Sequence, residues 1–125
     1  MRKLFAAAVL TSLLGACASI GGAPMAAKFE GGMLVNSAGM TLYTFDKDAV
    51  GSGKSTCNGP CAVNWPPLSA AAADSGSGEW SVVVRDDGSR QWAYQGKPVY
   101  LWIKDKMPGD KTGDGVNKVW HIVAR

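Results

Sequence analysis

The chain has 125 residues, a length that allows one domain at most. Its 13 basic and 10 acidic side chains give a formal net charge of +3, and the loss of Arg2 and Lys3 with a predicted leader leaves 11 basic side chains against 10 acidic ones. Because a nucleic-acid-binding domain usually carries a concentrated basic face, this even balance argues against a nucleic-acid partner.

Residues 1–16 have the pattern of a secretory signal peptide. Arg2 and Lys3 form its positive start, and residues 4–14 form an apolar run that is too short to span a bilayer. Small residues then precede Cys17, an arrangement that resembles the bacterial lipobox. The resemblance implies cleavage before Cys17, diacylation of its thiol and acylation of the new amine. The alternative is an ordinary secretory signal with an incidental cysteine.

A lipid anchor at Cys17 predicts a location in the cell envelope, with the lipid bilayer as a partner. Two or more acyl chains anchor a protein stably, whereas one chain binds only marginally. Ala18, and not an aspartate, follows the cysteine, which in a Gram-negative host is compatible with the outer membrane and a domain that faces the periplasm. Residues 17–28 are rich in Gly and Ala and are predicted to tether a domain at 29–125 to the membrane.

The domain is predicted to be all-β, with about six mostly antiparallel strands, long loops and at most one short helical turn, at 61–65. Alternating apolar residues and turn-forming segments indicate these strands, and Asp87-Gly88 between β-branched and aromatic runs is a strong hairpin signal. The predicted strands are 29–35, 41–45, 80–85, 90–94, 99–103 and 118–123.

One motif occurs twice and divides the domain into two imperfect repeats. Residues 43–48 contain Tyr43, Phe45 and Asp48, and residues 100–105 contain Tyr100, Trp102 and Asp105 at the same spacing. A Gly- and Lys-rich loop follows each copy and leads to a tryptophan, 22 residues after the first tyrosine and 20 after the second. This agreement indicates a duplicated unit, with repeat 1 at about 34–68 and repeat 2 at about 94–124.

Two cysteines remain in the domain, Cys57 and Cys61. An exported protein meets an oxidising compartment, so a close pair is most simply a disulfide. The alternative is a redox-active pair, although the spacing is three residues and not the two of thioredoxin-type enzymes.

Four tryptophans lie in predicted strands and favour a role in the core, since each has a large apolar area and a single N–H to satisfy. The alternative is an exposed aromatic platform for flat ligands. The four residues are Trp80, Trp92, Trp102 and Trp120.

These features together resemble a known family. The two motifs, the cysteine pair followed by residues 64–68, the turn at 85–88, and the segments 91–94, 96–100 and 109–115 are similar to those of bacterial predicted lipoproteins with a repeated Tyr-x-(Phe/Trp/Tyr)-x-x-Asp motif. The resemblance covers about residues 34–124. It implies an exported lipoprotein repeat, usually in two copies, without an agreed activity, and it carries over no catalytic residue.

Catalytic machinery is not evident in the sequence. The single histidine, His121, lies in the last predicted strand, where a structural role is more common than catalysis. Asp48 and Asp105 could face each other as a carboxylate pair, or each could cap a turn at its strand end by accepting backbone N–H bonds.

The best candidate ligand site in the sequence is the loop at 105–115. Asp105, Asp110 and Asp114 are hard oxygen ligands of the kind that calcium prefers, although their spacing is not that of an EF-hand. The alternative is a plain turn-rich loop. A copper site from His121 with methionines is a weaker hypothesis, because its ligands, Met33, Met40 and Met107, are scattered.

We therefore expect a non-enzymatic, membrane-anchored envelope lipoprotein whose β domain binds a ligand or an envelope protein. The alternative, from another class, is a metal-handling or thiol-redox protein that uses Cys57, Cys61 and His121.

Overall fold

The computed structural model describes residues 26–125. The predicted signal peptide, Cys17 and the tether up to residue 25 lie outside that range. The strands are β1 (Ala27–Glu30), β2 (Met33–Asn36), β3 (Tyr43–Phe45), β4 (Trp80–Val84), β5 (Arg90–Tyr94), β6 (Lys97–Pro98) and β7 (Trp120–Ile122). Helix α1 covers Pro60–Asn64, and a 3₁₀ turn covers Val116–Lys118.

The seven strands of the described range form three small antiparallel sheets, which confirms the all-β prediction. Their pairs are β1 with β2, β3 with β7, and β5 between β4 and β6. Within residues 26–125 no helix has the length and apolar character needed to cross a membrane.

The fold contains two hairpins, and the first of them, β1 with β2, differs from the sequence prediction. The second hairpin, β4 with β5, follows the predicted strands closely. The predicted single strand at 29–35 is wrong, because the chain reverses at residues 31–32 and pairs β1 with β2. Gly31 and Gly32 have φ angles of 62° and 84°, and the tight turns that join hairpin strands favour two successive residues of positive φ.

The second tyrosine segment also differs from its prediction. The expected strand at 99–103 is wrong, since only Lys97–Pro98 pairs as a strand and Tyr100 makes isolated bridges to Tyr43 and Pro67. The chain at Tyr100 is held on both sides by other segments, so its backbone bonds are shared among several partners.

The two repeats are interleaved, so that each repeat is completed by the other. Strand β3 of repeat 1 pairs with β7 of repeat 2, and the Asp46 N–H bonds Val119 O at 2.8 Å. The reverse pairing is present as well, because the Ile103 N–H of repeat 2 bonds Asn64 O of repeat 1 at 3.0 Å. The two repeats therefore form one structural unit with approximate two-fold symmetry.

The centre of this arrangement is the backbone bridge between Tyr43 and Tyr100. Each tyrosine N–H donates to the carbonyl oxygen of the other, at 2.8 and 2.9 Å. Both residues are fully buried. Corresponding residues of the two repeats meet here, so the approximate two-fold axis passes through this bridge.

The buried side chains form two clusters, and Tyr43 and Tyr100 belong to the aromatic one. One lies under the hairpins and includes Leu34, Leu68 and Trp92, and the other is aromatic and includes Trp65, Trp120 and Cys57. Trp80, Trp92 and Trp120 are buried as predicted, whereas Trp102 is only partly buried. The core prediction is therefore confirmed for three of the four strand tryptophans.

We predict that neither repeat folds alone as a monomer. A fragment of residues 26–69 lacks the strand that pairs with β3, and a fragment of residues 70–125 lacks the partner of β7. Near-ultraviolet circular dichroism should show no fixed aromatic packing for either fragment when dilute, and the signal should appear on mixing them. A cooperative thermal transition of one dilute, monomeric fragment would contradict the interleaved fold.

Candidate functional site

The repeated motif forms a pair of reciprocal hydrogen bonds between the two repeats. The Tyr43 hydroxyl donates to Asp105 Oδ2 at 2.6 Å, and the Tyr100 hydroxyl donates to Asp48 Oδ2 at 2.5 Å. Asp48 and Asp105 are 2% and 7% exposed. The tyrosine of each motif copy therefore satisfies the buried carboxylate of the other copy.

Each aspartate also fixes the loop that follows it. Asp48 Oδ1 accepts bonds from the N–H and hydroxyl of Thr56, at 2.7 and 2.8 Å. Asp105 Oδ1 accepts the same two bonds from Thr112, at 2.9 and 2.6 Å. A buried carboxylate is costly unless hydrogen bonds compensate it, and both oxygens of each aspartate are occupied in this way.

The two tyrosines are bound so that they stay protonated. Burial, and then the hydrogen bond to Asp105, raises the pKa of Tyr43 far above its usual range. Burial, and then the hydrogen bond to Asp48, does the same to the pKa of Tyr100. Neither hydroxyl is therefore available as a base or a nucleophile near neutral pH.

The loop of repeat 2 packs directly on the tyrosine. The Gly113 N–H donates to the Tyr43 hydroxyl at 3.1 Å. A Cβ atom at Gly113 would lie 2.9 Å from the rings of both Trp65 and Tyr43, a distance that real Cβ atoms do not show. The absence of a side chain at this position lets the loop reach the hydroxyl.

A buried arginine from the turn after β4 joins the network around the first motif. Arg85 is 4% exposed and donates to Ser55 Oγ at 2.9 Å, to Gln91 Oε1 at 2.7 Å and to Cys57 O at 2.6 Å. Ser55 Oγ lies 2.6 Å from the Tyr100 hydroxyl. The guanidinium is thus linked through Ser55 and Tyr100 to Asp48, so one network joins the second hairpin to the first motif.

Four aromatic rings stack in a row through the middle of the molecule. Their order is Trp102, Trp65, Trp120 and Phe45, with ring centroids 3.9, 3.7 and 4.2 Å apart. The row alternates between the repeats, and Tyr43 and Tyr100 each place an edge against a tryptophan of it. Stacked and edge-to-face pairs add about 0.5–1.5 kcal/mol each beyond burial, so this row stabilises the contact between the repeats.

Cys57 and Cys61 form a disulfide, as the sequence predicted, with an S–S distance of 2.06 Å. Cys57 is fully buried in the aromatic cluster, and Cys61 is partly exposed. The bridge ties Cys57, which directly follows the Ser55 and Thr56 that bind Tyr100 and Asp48, to helix α1. Its position therefore stabilises the network of repeat 1.

The structure does not gather the three aspartates of the proposed calcium loop. Asp105 binds Tyr43 and Thr112, Asp110 accepts the N–H groups of residues 106 and 107, and Asp114 accepts the Ile122 N–H. In the part of the chain that is described, no group of three or more His, Cys, Asp or Glu side chains is placed to hold a metal ion. The carboxylates serve as anchors for the loop backbone instead.

The copper candidates lie in different segments of the chain. His121 lies in β7, and its Nε2 is 2.8 Å from Asp46 Oδ2 in a half-exposed pair. Met33 lies in β2, the Met40 N–H bonds Asn36 Oδ1, and Met107 is 60% exposed in a loop.

A groove of about 600 Å³ opens between the two hairpins. Phe29 from β1 and Tyr94 from β5 form part of its wall, with ring centroids 5.5 Å apart. Arg125 lies over the Phe29 ring at 4.6 Å and is 3.7 Å from the carboxylate of Glu79. The groove combines aromatic walls with a charged rim.

Sequence reasoning did not connect the residues of this groove, because they come from both hairpins, the connector between the repeats and the last residue of the described chain. It also missed Arg85, whose burial depends on contacts across the fold. Thr56 and Thr112 had a recognisable signal, since each follows its motif aspartate by a similar interval, eight residues and seven residues.

A family described as "Secreted repeat of unknown function" matches the chain twice, at residues 26–69 and 81–124. Both predicted repeats fall inside these segments, which also include the hairpin at the start of each repeat. No curated protein and no solved structure matches the chain.

We predict a steep loss of stability at alkaline pH. Tyr43 and Tyr100 have a raised pKa when folded, whereas in the unfolded chain a tyrosine ionises near pH ~10. Their contribution is therefore complete below pH ~10 and declines as the pH rises above it, by about 1.4 kcal/mol per pH unit for each tyrosine. Urea unfolding at a series of pH values measures this slope.

Tyr43→Phe and Tyr100→Phe are the matched variants. Each should lower the free energy of unfolding near neutral pH by about 1.5–3 kcal/mol, because a hydrogen bond to a charged group is lost. Each should also remove about half of the extra alkaline slope. An unchanged slope in both variants would contradict the assignment.

Proposed function

The chain belongs to this family of secreted repeats, and on that premise we propose that it is a lipid-anchored envelope protein whose two-repeat domain is a non-catalytic binding module for another envelope protein. The groove between the hairpins is the observation that carries the binding role. Residues 2–17 of the sequence support the anchor.

Only a short stretch of chain separates the proposed anchor from the domain. Cys17 precedes β1, which begins at Ala27, by ten residues. Ala27 itself lines the groove. A short link from an acylated Cys17 would therefore keep the groove close to the membrane surface, within reach of proteins that are embedded in or attached to the same bilayer.

The way in which the polar groups of the motif are used supports a binding role over catalysis. The carboxylates of Asp48 and Asp105 are buried and hydrogen-bonded, and the hydroxyls of Tyr43 and Tyr100 stay protonated. General acid–base or nucleophilic chemistry needs a group that can exchange a proton or attack a substrate. The repeated motif thus stabilises the fold, and we assign binding to the surfaces that the motif holds in position.

The groove favours a peptide segment of a protein. Its walls present Phe29, and its rim carries cations, Lys28 and Arg125, as well as the anion Glu79. Glu79 is held in place by Gln95 Nε2, at 2.7 Å. Interfaces between proteins are enriched in aromatic residues and arginine at their centres, and a rim with both signs of charge suits a segment that carries both signs itself.

The anchor is tested by replacing its cysteine. We expect Cys17→Ser to abolish incorporation of labelled palmitate, because no other cysteine follows the signal directly. The matched control, a double Cys57→Ser, Cys61→Ser variant, should keep the label, since these residues form the disulfide of the domain. An acyl-labelled product from Cys17→Ser would overturn the anchor.

The groove is tested by site-specific photo-crosslinking in intact cells. A photoreactive phenylalanine analogue at Phe29 should give a discrete adduct with an envelope protein, and Arg125→Glu should reduce its yield at least several-fold by reversing the rim charge. The analogue at Val84, which is 52% exposed and outside the groove, is the control position. Equal adducts at both positions, or none at Phe29, would exclude the groove as the binding site.

A further inference from the structure

A small apolar and basic surface lies at one end of the aromatic row. We define the apolar–basic patch as Val63, Trp102, Ile103 and Lys104. Val63 is 68% exposed on α1, and Ile103 is 43% exposed. The Ile103 N–H bonds Asn64 O at 3.0 Å, so the backbone at Ile103 is joined to the last residue of α1, next to Val63.

Trp102 and Lys104 complete this surface. Trp102 ends the aromatic row and is the only one of the five tryptophans that is not buried. Lys104 Nζ lies 6.0 Å from the centroid of its ring. An aromatic ring beside a lysine amine matches the composition of protein surfaces that sit at the boundary between water and lipid.

The local charge is positive. Within residues 26–125, Lys104 and Lys106 make no ion pair with a carboxylate, whereas Lys28 and Lys54 do. Asp105, between the two free lysines, points inward and is bound by Tyr43 and Thr112. Lys104 and Lys106 are therefore exposed to solvent, whereas Asp105 between them is buried.

The equivalent surface of repeat 1 lacks this character. Asp46 stands where Ile103 stands in repeat 2, and it pairs with His121. Phe45, the equivalent of Trp102, is only 8% exposed. Lys47 is the equivalent of Lys104. Repeat 1 has the same backbone arrangement without these exposed apolar residues. The fold therefore does not require them in repeat 2.

We propose that the apolar–basic patch rests on the surface of an anionic lipid bilayer. This inference depends on the proposed anchor, since the chain from Cys17 to Ala26 spans at most about 30 Å and confines the domain to the membrane surface. Lys104 meets the anionic headgroups, and Trp102, Ile103 and Val63 enter the interfacial region. The anchor keeps the domain at the membrane, and the patch determines which face of the domain contacts the bilayer.

The test uses the mature, acylated protein, purified from membranes and reconstituted into vesicles that contain brominated lipids, which quench tryptophan at short range. Subtraction of a Trp102→Phe variant isolates the signal of Trp102. We expect Trp102 to be quenched in vesicles with phosphatidylglycerol and at least twofold less in vesicles of phosphatidylcholine alone. Lys104→Glu should lower the quenching at least twofold, whereas Lys47→Glu, the same change at the equivalent position of repeat 1, should leave it unchanged.

Three outcomes would overturn the proposal. Equal quenching in both vesicle types excludes an electrostatic contact, and an equal effect of Lys47→Glu excludes a specific face. If Trp102 is not quenched and an Ile103→Cys variant instead cross-links to a second copy, the patch is a protein interface. Absence of acylation and of flotation with the vesicles would instead overturn the proposed anchor, so the two failures are distinguishable.

Discussion

The two bonds between a tyrosine hydroxyl of one repeat and a buried aspartate of the other are the constraint on which the rest of the fold depends. A carboxylate removed from water must be compensated by donors, and here the donors come from the partner repeat and from a threonine of the following loop. The same two aspartates therefore fix the relative position of the repeats and the course of both long loops. The aromatic row can stack only when that position is correct.

Much of the local structure could be predicted from the sequence, because it depends on short-range signals. The hairpin at Asp87-Gly88, the short helix before Pro66 and the disulfide all follow from residues that are close in the chain. The failures have physical reasons of their own. Two successive glycines turned a predicted strand into a hairpin, and the segment at Tyr100 shares its backbone bonds among several neighbours.

The site was harder to predict than the fold. The sequence shows that the motif is duplicated, but it does not show which tyrosine meets which aspartate, since that depends on how the repeats cross. The positions of Asp105, Asp110 and Asp114 in the sequence do not reveal that each of them accepts hydrogen bonds from backbone N–H groups. The groove joins residues as distant as Phe29 and Arg125, which no local pattern connects.

The crossed arrangement also bears on how such a protein arises. A chain with a single repeat could satisfy its tyrosine and aspartate only with a second chain, as a two-fold dimer whose formation depends on concentration. Joining two copies through the connector makes that contact intramolecular, with a high and constant effective concentration. After gene fusion, the two halves can diverge in sequence. Arg85, the disulfide, and Ile103 at the position equivalent to Asp46 are differences between the halves that two identical subunits could not have.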